Sequence, residues 1–356
     1  MRSDAGSDEE PLKLSPDDRT ALIDSVARLF GDVCAEQDVR RIIDAESGHD
    51  ATLWRAIVEH GIVGLMVPAA QGGAGLGPEE MVQVMEEAGA ALLPVPLLSA
   101  MIASTLLKGD ALAGLADGSR LYAVAFADSR DWTGKSDVRI EGERVSGTAR
   151  FVPDALIADT ILVASDTAVF AFDRDEVEIT PLPVFDRTRR MADVRFTGQG
   201  KRMGDGTRVS AAFDTAVVAL AGEQAGGARR IMGMAVEYAR DRHQFGRAIG
   251  SFQAVKHMAA DLFLETESAT SAARDAARLL AVGNSQKDAA IALAAFTCGD
   301  VFVRCAKDAI QMHGGIAFTW DHPAHLYLRR ARSGAQLFGD SMHWRDRYIT
   351  ALESAA

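Results

Sequence analysis

The chain has 356 residues, 48 % hydrophobic and 25 % charged, which suffices for two or three domains around a large buried core. Its net charge of −12 argues against nucleic acid as a partner, because phosphates require clustered Lys and Arg. No apolar run suggests the roughly 18 residues of a membrane span, and the acidic N-terminus (Asp4, Asp8, Glu9, Glu10) is the opposite of an export leader, so a cytoplasmic protein is expected.

Residues 1–16 are polar and acidic and are expected to form a disordered tail. Ser15-Pro16-Asp17-Asp18 then reads as a helix start, with Ser15 as N-cap and Pro16 in the first helical position. Helical periodicity continues to about Leu107, giving an N-terminal helical domain over 17–118. The glycine-rich stretch Pro68–Pro78 offers a phosphate-cradling reading, but it lacks the Lys-Ser/Thr ending of a P-loop, and a helix–helix connection is preferred.

From Leu121 to about Phe196 the texture changes to short β-type runs: Tyr122–Phe126, Val138–Ile140, Thr160–Ala164, Ala168–Phe172 and Val177–Thr180. No helices alternate with them, so 119–208 is expected to be a mostly antiparallel β domain. Residues 209–356 return to helix. Ala225, Ala228, Met232, Ala235 and Ala239 form one narrow apolar face; Phe252, Val255, Ala259 and Leu262 form another, with Ser251 as a plausible N-cap. A third helix from about Gln286 to Met312 stops at Gly314-Gly315. The fold class is therefore α+β: a helical domain, a β domain and a four-helix-type bundle. Cys298 and Cys305, seven apart on this helix, read as small core residues rather than a redox pair.

Two segments offer ligand chemistry. In Arg242-His243-Gln244-Phe245-Gly246, a helix ends in a basic, aromatic corner before a new helix begins. Arg242 can bind a phosphate bidentately, Phe245 can cover an apolar ring, and the next helix start adds N–H groups and positive dipole. In Gln311-Met312-His313-Gly314-Gly315, two glycines after a helix let a ligand touch backbone. Taken separately, each reads better as an ordinary helix end than as a ligand site. Arg329, Arg330 and Arg332 supply local positive charge that can attract anionic small molecules despite the global sign. His322 and His325 have the spacing of a metal pair but no nearby Glu or third ligand, so a loop and helix-start role is expected and no metal is assigned.

Together, the R-x-x-F-G and Q-x-x-G-G segments, about 70 residues apart, resemble the acyl-CoA dehydrogenase family, as do Gly64–Pro68 with its glycine loop and the β middle. The resemblance covers nearly the whole chain. It implies the acyl-CoA dehydrogenase fold, an FAD cofactor, an acyl-CoA substrate desaturated at the α,β bond, and electron-transfer flavoprotein as redox partner. It further implies that Arg242, Phe245, Gln253, Gln311, Gly314 and Gly315 contact the adenine and pyrophosphate end of an FAD whose flavin ring lies mainly on a neighbouring subunit.

Three departures stand beside the resemblance. Family members abstract the substrate's α-proton with a glutamate, and Gly339 occupies the matching position here; Asp340, one residue later, is a weak substitute because a one-residue shift re-aims a carboxylate. A second base location falls at about Ala216, and Glu223 lies two turns, about 10 Å, further along. The flavin-facing T-E-P-x-x-G-S-D and W-I-T-N-G stretches correspond to Ala125–Asp131 and Phe151–Ala155, where Pro153 has no N–H to donate. These losses together resemble the non-catalytic partner of a heteromeric (α2β2) enzyme, of the kind that acts on sterol side-chain CoA thioesters, with a homologous catalytic subunit supplying the glutamate. The alternatives are a self-sufficient flavin oxidoreductase using Asp340 or oxygen chemistry, and a flavin-free scaffold subunit.

Overall fold

The computed structural model describes residues 11–134 and 136–355. The first ten residues of the expected tail lie outside it. Six helices open the chain: α1 (Pro16–Val33), α2 (Glu36–Asp44), α3 (Ala51–Glu59), α4 (Pro78–Ala90), α5 (Leu97–Leu106) and α6 (Asp110–Ala116). The Ser15 hydroxyl accepts from the Asp18 N–H at 3.1 Å and Pro16 stands at the first helical position, as the sequence predicts. The glycine-rich loop joins α3 to α4 and cannot cradle a phosphate. Its Ala74, Gly75 and Leu76 N–H groups donate to the carbonyls of Gly64, Val67 and Leu65 at 2.8–3.0 Å.

Eight strands follow: β1 (Tyr122–Phe126), β2 (Arg139–Glu141), β3 (Arg144–Pro153), β4 (Thr160–Ala164), β5 (Val169–Asp173), β6 (Glu178–Pro181), β7 (Met191–Gln199) and β8 (Lys201–Gly204). They form two four-stranded sheets, ordered β1-β4-β5-β8 and β2-β3-β7-β6. Val145, Val152, Ile161, Phe170, Phe172 and Phe196, drawn from both sheets, pack into a private core between them. The opposite face of the first sheet, with Val124, Phe126 and Leu162, joins the helical core. The domain is mostly antiparallel, as expected; β1 alone pairs in parallel, with β4, because the chain crosses to the second sheet through β2 and β3 before returning. Strands β3, β7 and β8 are additions to the expected set. In β3 and β7, apolar residues alternate with charged or polar ones, as in Met191-Ala192-Asp193-Val194-Arg195-Phe196, so no continuous apolar run marks them.

The bundle comprises α7 (Val209–Asp241), α8 (Gln253–Ala281), α9 (Lys287–His313), α10 (Ala324–Gly334) and α11 (Ser341–Ala355), with the two-residue strands β9 (His243–Gln244) and β10 (Arg247–Ala248) between α7 and α8. Helices α4 and α7 touch backbone to backbone: a Cβ on Gly226 would lie 1.8 Å from the Glu86 carbonyl oxygen. Only glycine permits that approach. Helix α9 is long and apolar enough to cross a membrane, a stretch the sequence reading passed over; it packs against α7, α8, α10 and α11. Cys298 and Cys305 are buried core residues of α9, against Ala269 and Thr266 of α8. Ser251 does not cap α8. It lies in a 3-10 turn, its hydroxyl donates to the Ala248 carbonyl at 2.7 Å, and Phe252 holds the cap position. Of the predicted second face only Leu262 is fully buried.

Candidate functional site

The first region is the corner where α7 and α9 end. The Arg242 N–H closes the last turn of α7 on the Tyr238 carbonyl at 2.8 Å, and the Arg242 carbonyl accepts from Ile249 N–H at 2.7 Å. Between these bonds β9 and β10 pair around a two-residue turn, Phe245-Gly246, with φ of +52° and +78°. Two positive φ values suit the right-handed twist of a tight hairpin, but a phenylalanine in that region is strained. Its ring is 91 % exposed and meets only the edge of Phe252, which the Arg247 guanidinium covers at 4.0 Å. A strained, solvent-facing aromatic ring stabilises nothing inside this chain, and points to a contact outside it.

Helix α9 arrives beside it. Buried His313 donates from Nδ1 to the Ala309 carbonyl at 2.7 Å, and its ring lies 4.6 Å from that of Tyr238 and 4.2 Å from that of His322. The Tyr238–His313 contact locks the last turn of α7 to the last turn of α9. The two sequence segments are thereby brought to one corner, with Gln311 exposed, and Gln253 exposed in the first turn of α8. Gly314 (φ +67°) and Gly315 face open space: a Cβ on either would meet nothing within 4 Å. Among the described residues no carboxylate pairs with Arg242. A free guanidinium, two exposed amides, open glycine backbone and an exposed ring form a donor set that fits a pyrophosphate attached to a purine.

His322 accepts from the Ala324 N–H at 3.2 Å and so starts α10, the loop and helix-start role predicted for it. Burial holds the His313, His322 and His325 rings below their ordinary pKa; for His325 burial, then Arg40 and Arg329, bring the value down to about 4.

The second region collects the segments aligned with the family's reaction centre. Gly339 has φ +117°, and a Cβ on it would lie 2.7 Å from His343 Cδ2 and 2.9 Å from Trp344 Nε1. Asp340 spends its carboxylate on α11, accepting from the His343 N–H at 2.9 Å. Ala216 is fully buried. Glu223 is buried too and clamped by arginines: Arg330 reaches it at 3.0 and 3.1 Å, and Arg189 bonds the same carboxylate. Burial pushes its pKa up, but Arg189 and Arg330 outweigh that and hold the carboxyl below its usual range. A carboxylate so paired cannot accept a substrate proton. Arg330, predicted to attract anions, is consumed here, also donating to Thr188 Oγ1 at 2.9 Å.

One feature of this region escaped the sequence. Phe126, Phe213 and Phe338 meet edge to face, with centroids 5.1–6.1 Å apart. Trp344 stacks on Phe213 at 6.3 Å, and Trp132 joins Phe338 at 6.4 Å and Phe151 at 6.2 Å. Phe126 and Phe151 come from the two flavin-facing segments, Phe338 adjoins Gly339, and Phe213 lies one turn before Ala216. These rings meet at the segments that the resemblance aligns with the family's flavin-facing stretches and base position. The cavity beneath, between Leu220, Phe296 and Trp344, measures 20 Å³, room for about one water. On the other side of the cluster a groove of 660 Å³, lined by Trp132, Phe151, Gly339 and Asp340, opens between the β sandwich and the bundle.

Residues 16–114 match the acyl-CoA dehydrogenase N-terminal domain and residues 204–347 the acyl-CoA dehydrogenase C-terminal domain. The chain is 34 % identical to the acyl-CoA dehydrogenase IpdE2 of Mycolicibacterium smegmatis, over 91 % of this chain and 95 % of IpdE2. Two solved structures superpose with a TM-score of 0.86 at 26 % identity: a Tcur3481-Tcur3483 steroid ACAD, covering 95 % of this chain and 98 % of its own, and the ChsE4-ChsE5 complex from Mycobacterium tuberculosis, covering 96 % and 98 %. The chain belongs to the acyl-CoA dehydrogenase family. These are flavin oxidoreductases, and their cofactor is FAD.

Proposed function

We propose that this chain is the non-catalytic subunit of a heteromeric, cytoplasmic acyl-CoA dehydrogenase of α2β2 type, donating the FAD adenosine-diphosphate site to an active centre on a homologous partner. The observation that carries this reading is the loss of a usable base: Gly339 stands at the family's glutamate position, Asp340 is held by the His343 N–H, and Glu223 is clamped by Arg189 and Arg330. Gly339 supports it, since no side chain fits there without displacing His343 or Trp344. The apolar surface around the donated corner supports it as well: besides Phe245, Phe318 is 80 % and Trp320 57 % exposed. The two similar structures named for paired chains agree with a heteromeric assembly, and the word steroid in one of those names suggests a sterol side-chain CoA thioester as substrate.

When bound, FAD would supply the hydride acceptor for α,β-desaturation, with electron-transfer flavoprotein as the onward electron acceptor. This chain's own residues bind and orient. Arg242 neutralises pyrophosphate, Gln311 and Gln253 offer amide hydrogen bonds, Gly314 and Gly315 allow close backbone approach, and Phe245 covers the adenine. The partner's glutamate takes the α-proton. Purified alone, the chain is expected to be colourless and unreactive; a yellow protein that an acyl-CoA bleaches with no partner present would favour a self-sufficient oxidoreductase instead.

A further inference from the structure

A cavity of 340 Å³ opens between the N-terminal domain and the bundle, bounded by α1, the end of α4, α7 and α10. Ala27 and Gly31 of α1 and Ala90 and Ala91 at the end of α4 present it with methyl groups and bare backbone, and Met234 of α7 adds a pliable thioether. Leu92 lines it too, held at φ +51°. There α4 closes, with Leu92 N–H on the Gly89 carbonyl at 3.1 Å and Leu93 N–H on the Ala88 carbonyl at 2.9 Å, a turn that ordinarily takes glycine. A leucine strained into that position supplies an apolar wall that glycine would not. The volume lies in the range of small-ligand sites and exceeds the roughly 150 Å³ that holds a benzene ring.

The charges at the mouth are of both signs and do not meet. Glu87 is taken by Arg229 at 2.6 Å, but no carboxylate among the described residues pairs with Arg230, which also lines the cavity. Glu36, at the start of α2, gives Oε1 to Arg40 at 2.7 Å, and its Oε2 has no partner among the described residues. Both free groups stand beside the Tyr327 hydroxyl, which donates to the Ala90 carbonyl at 2.6 Å. Burial pushes that hydroxyl up to about 12, with Arg230 acting downward and Glu36 upward. Burial likewise pushes the Cys34 thiol up to about 12, so it stays neutral and adds no charge to the cavity. A cation and a carboxylate oxygen thus flank one hydroxyl without bridging to each other, at the mouth of an apolar chamber.

We propose that this cavity binds a free amino acid with a large apolar side chain, its carboxylate on Arg230, its ammonium on Glu36 Oε2 and its side chain among Ala27, Gly31, Leu92 and Met234. The bidentate guanidinium selects the carboxylate. An acid without the ammonium meets Glu36 unanswered, and an amine without the carboxylate meets Arg230, so each half of the zwitterion is selected against its absence. The inference stands apart from the proposed function, since no residue of the FAD corner or of the reaction centre lines this cavity.

The test is calorimetric titration of the chain, alone and assembled with its homologous partner, with L-phenylalanine. As controls, 3-phenylpropanoate lacks the ammonium, 2-phenylethylamine the carboxylate and L-alanine the ring. The expected result is one equivalent of L-phenylalanine per copy of this chain in both states, with each control, and Arg230→Gln, weaker by about tenfold or more. Gly31→Leu fills the chamber and abolishes binding, and the fold tolerates it, because a Cβ on Gly31 meets nothing within 4 Å. Absence of binding in either state overturns the proposal, as does binding unchanged by both substitutions. Binding of 3-phenylpropanoate as tight as that of L-phenylalanine also overturns it, by reducing the site to an anion pocket.

Discussion

Arg242 and Gly339 carry opposite halves of the account. Replacing Arg242 with alanine removes a charge-assisted bond to phosphate, worth about 1.5–3 kcal/mol, so FAD affinity of the complex is expected to fall roughly 10- to 100-fold with little change in thermal midpoint. Unchanged FAD content would instead favour a scaffold. Gly339→Glu restores the family's base in sequence only. Its φ of +117° and the contacts waiting at His343 and Trp344 predict a loss of about 2 kcal/mol or more in stability and no acyl-CoA-dependent dye reduction by the isolated chain. Denaturant melts and a dye assay check both halves of that statement. Short motifs singled out Arg242, Phe245, Gln311 and Gly339 in the sequence, and the structure brings the first three to one corner. Phe126, Phe213, Phe338 and Trp344 were not legible, since their meeting depends on three separate elements folding together.

At the scale of elements, the corner joining α7, α9 and α10 is held by aromatic and histidine rings. His313, His322 and His325 all have folded-state pKa values below the ordinary 6.5 or so, with His325 near 4. Between those values the unfolded chain binds more protons than the folded one. The stability these rings contribute is therefore full above about pH 6.5 and is lost as pH falls toward 4. A thermal midpoint that declines from pH 7 to pH 5, with His325→Asn flattening part of the slope, is expected; a flat profile would show that these rings do not titrate as their surroundings require. Element boundaries followed the sequence where apolar runs were continuous, as in β1 and β4, which the runs Tyr122–Phe126 and Thr160–Ala164 mark residue for residue. They were missed where charge alternates with apolar residues, as in β7, and Ser251 was misjudged as a cap because the 3-10 turn before α8 is invisible to helical periodicity.

Across the whole molecule, Glu223 on α7, Arg189 and Asp186 from the β domain and Arg330 on α10 form a buried ionic knot. Removing one member strands the others without solvent. Glu223→Ala is expected to cost about 3–5 kcal/mol, measured by denaturant unfolding; a cost below 1 kcal/mol would mean that the arginines find water. The order of helical, β and helical regions could be read from composition and periodicity alone, because each change of texture spans tens of residues. The proposed use of the fold could be read only in part, since the pairing of Glu223 with Arg189 and Arg330 joins residues far apart in sequence. One assembly-level number is decisive for the proposed function. With the homologous dehydrogenase chain co-expressed, flavin absorbance against protein concentration should give one FAD per two chains. One FAD per chain, or a full complement on this chain alone, would contradict the assignment of its FAD corner to a partner's active centre.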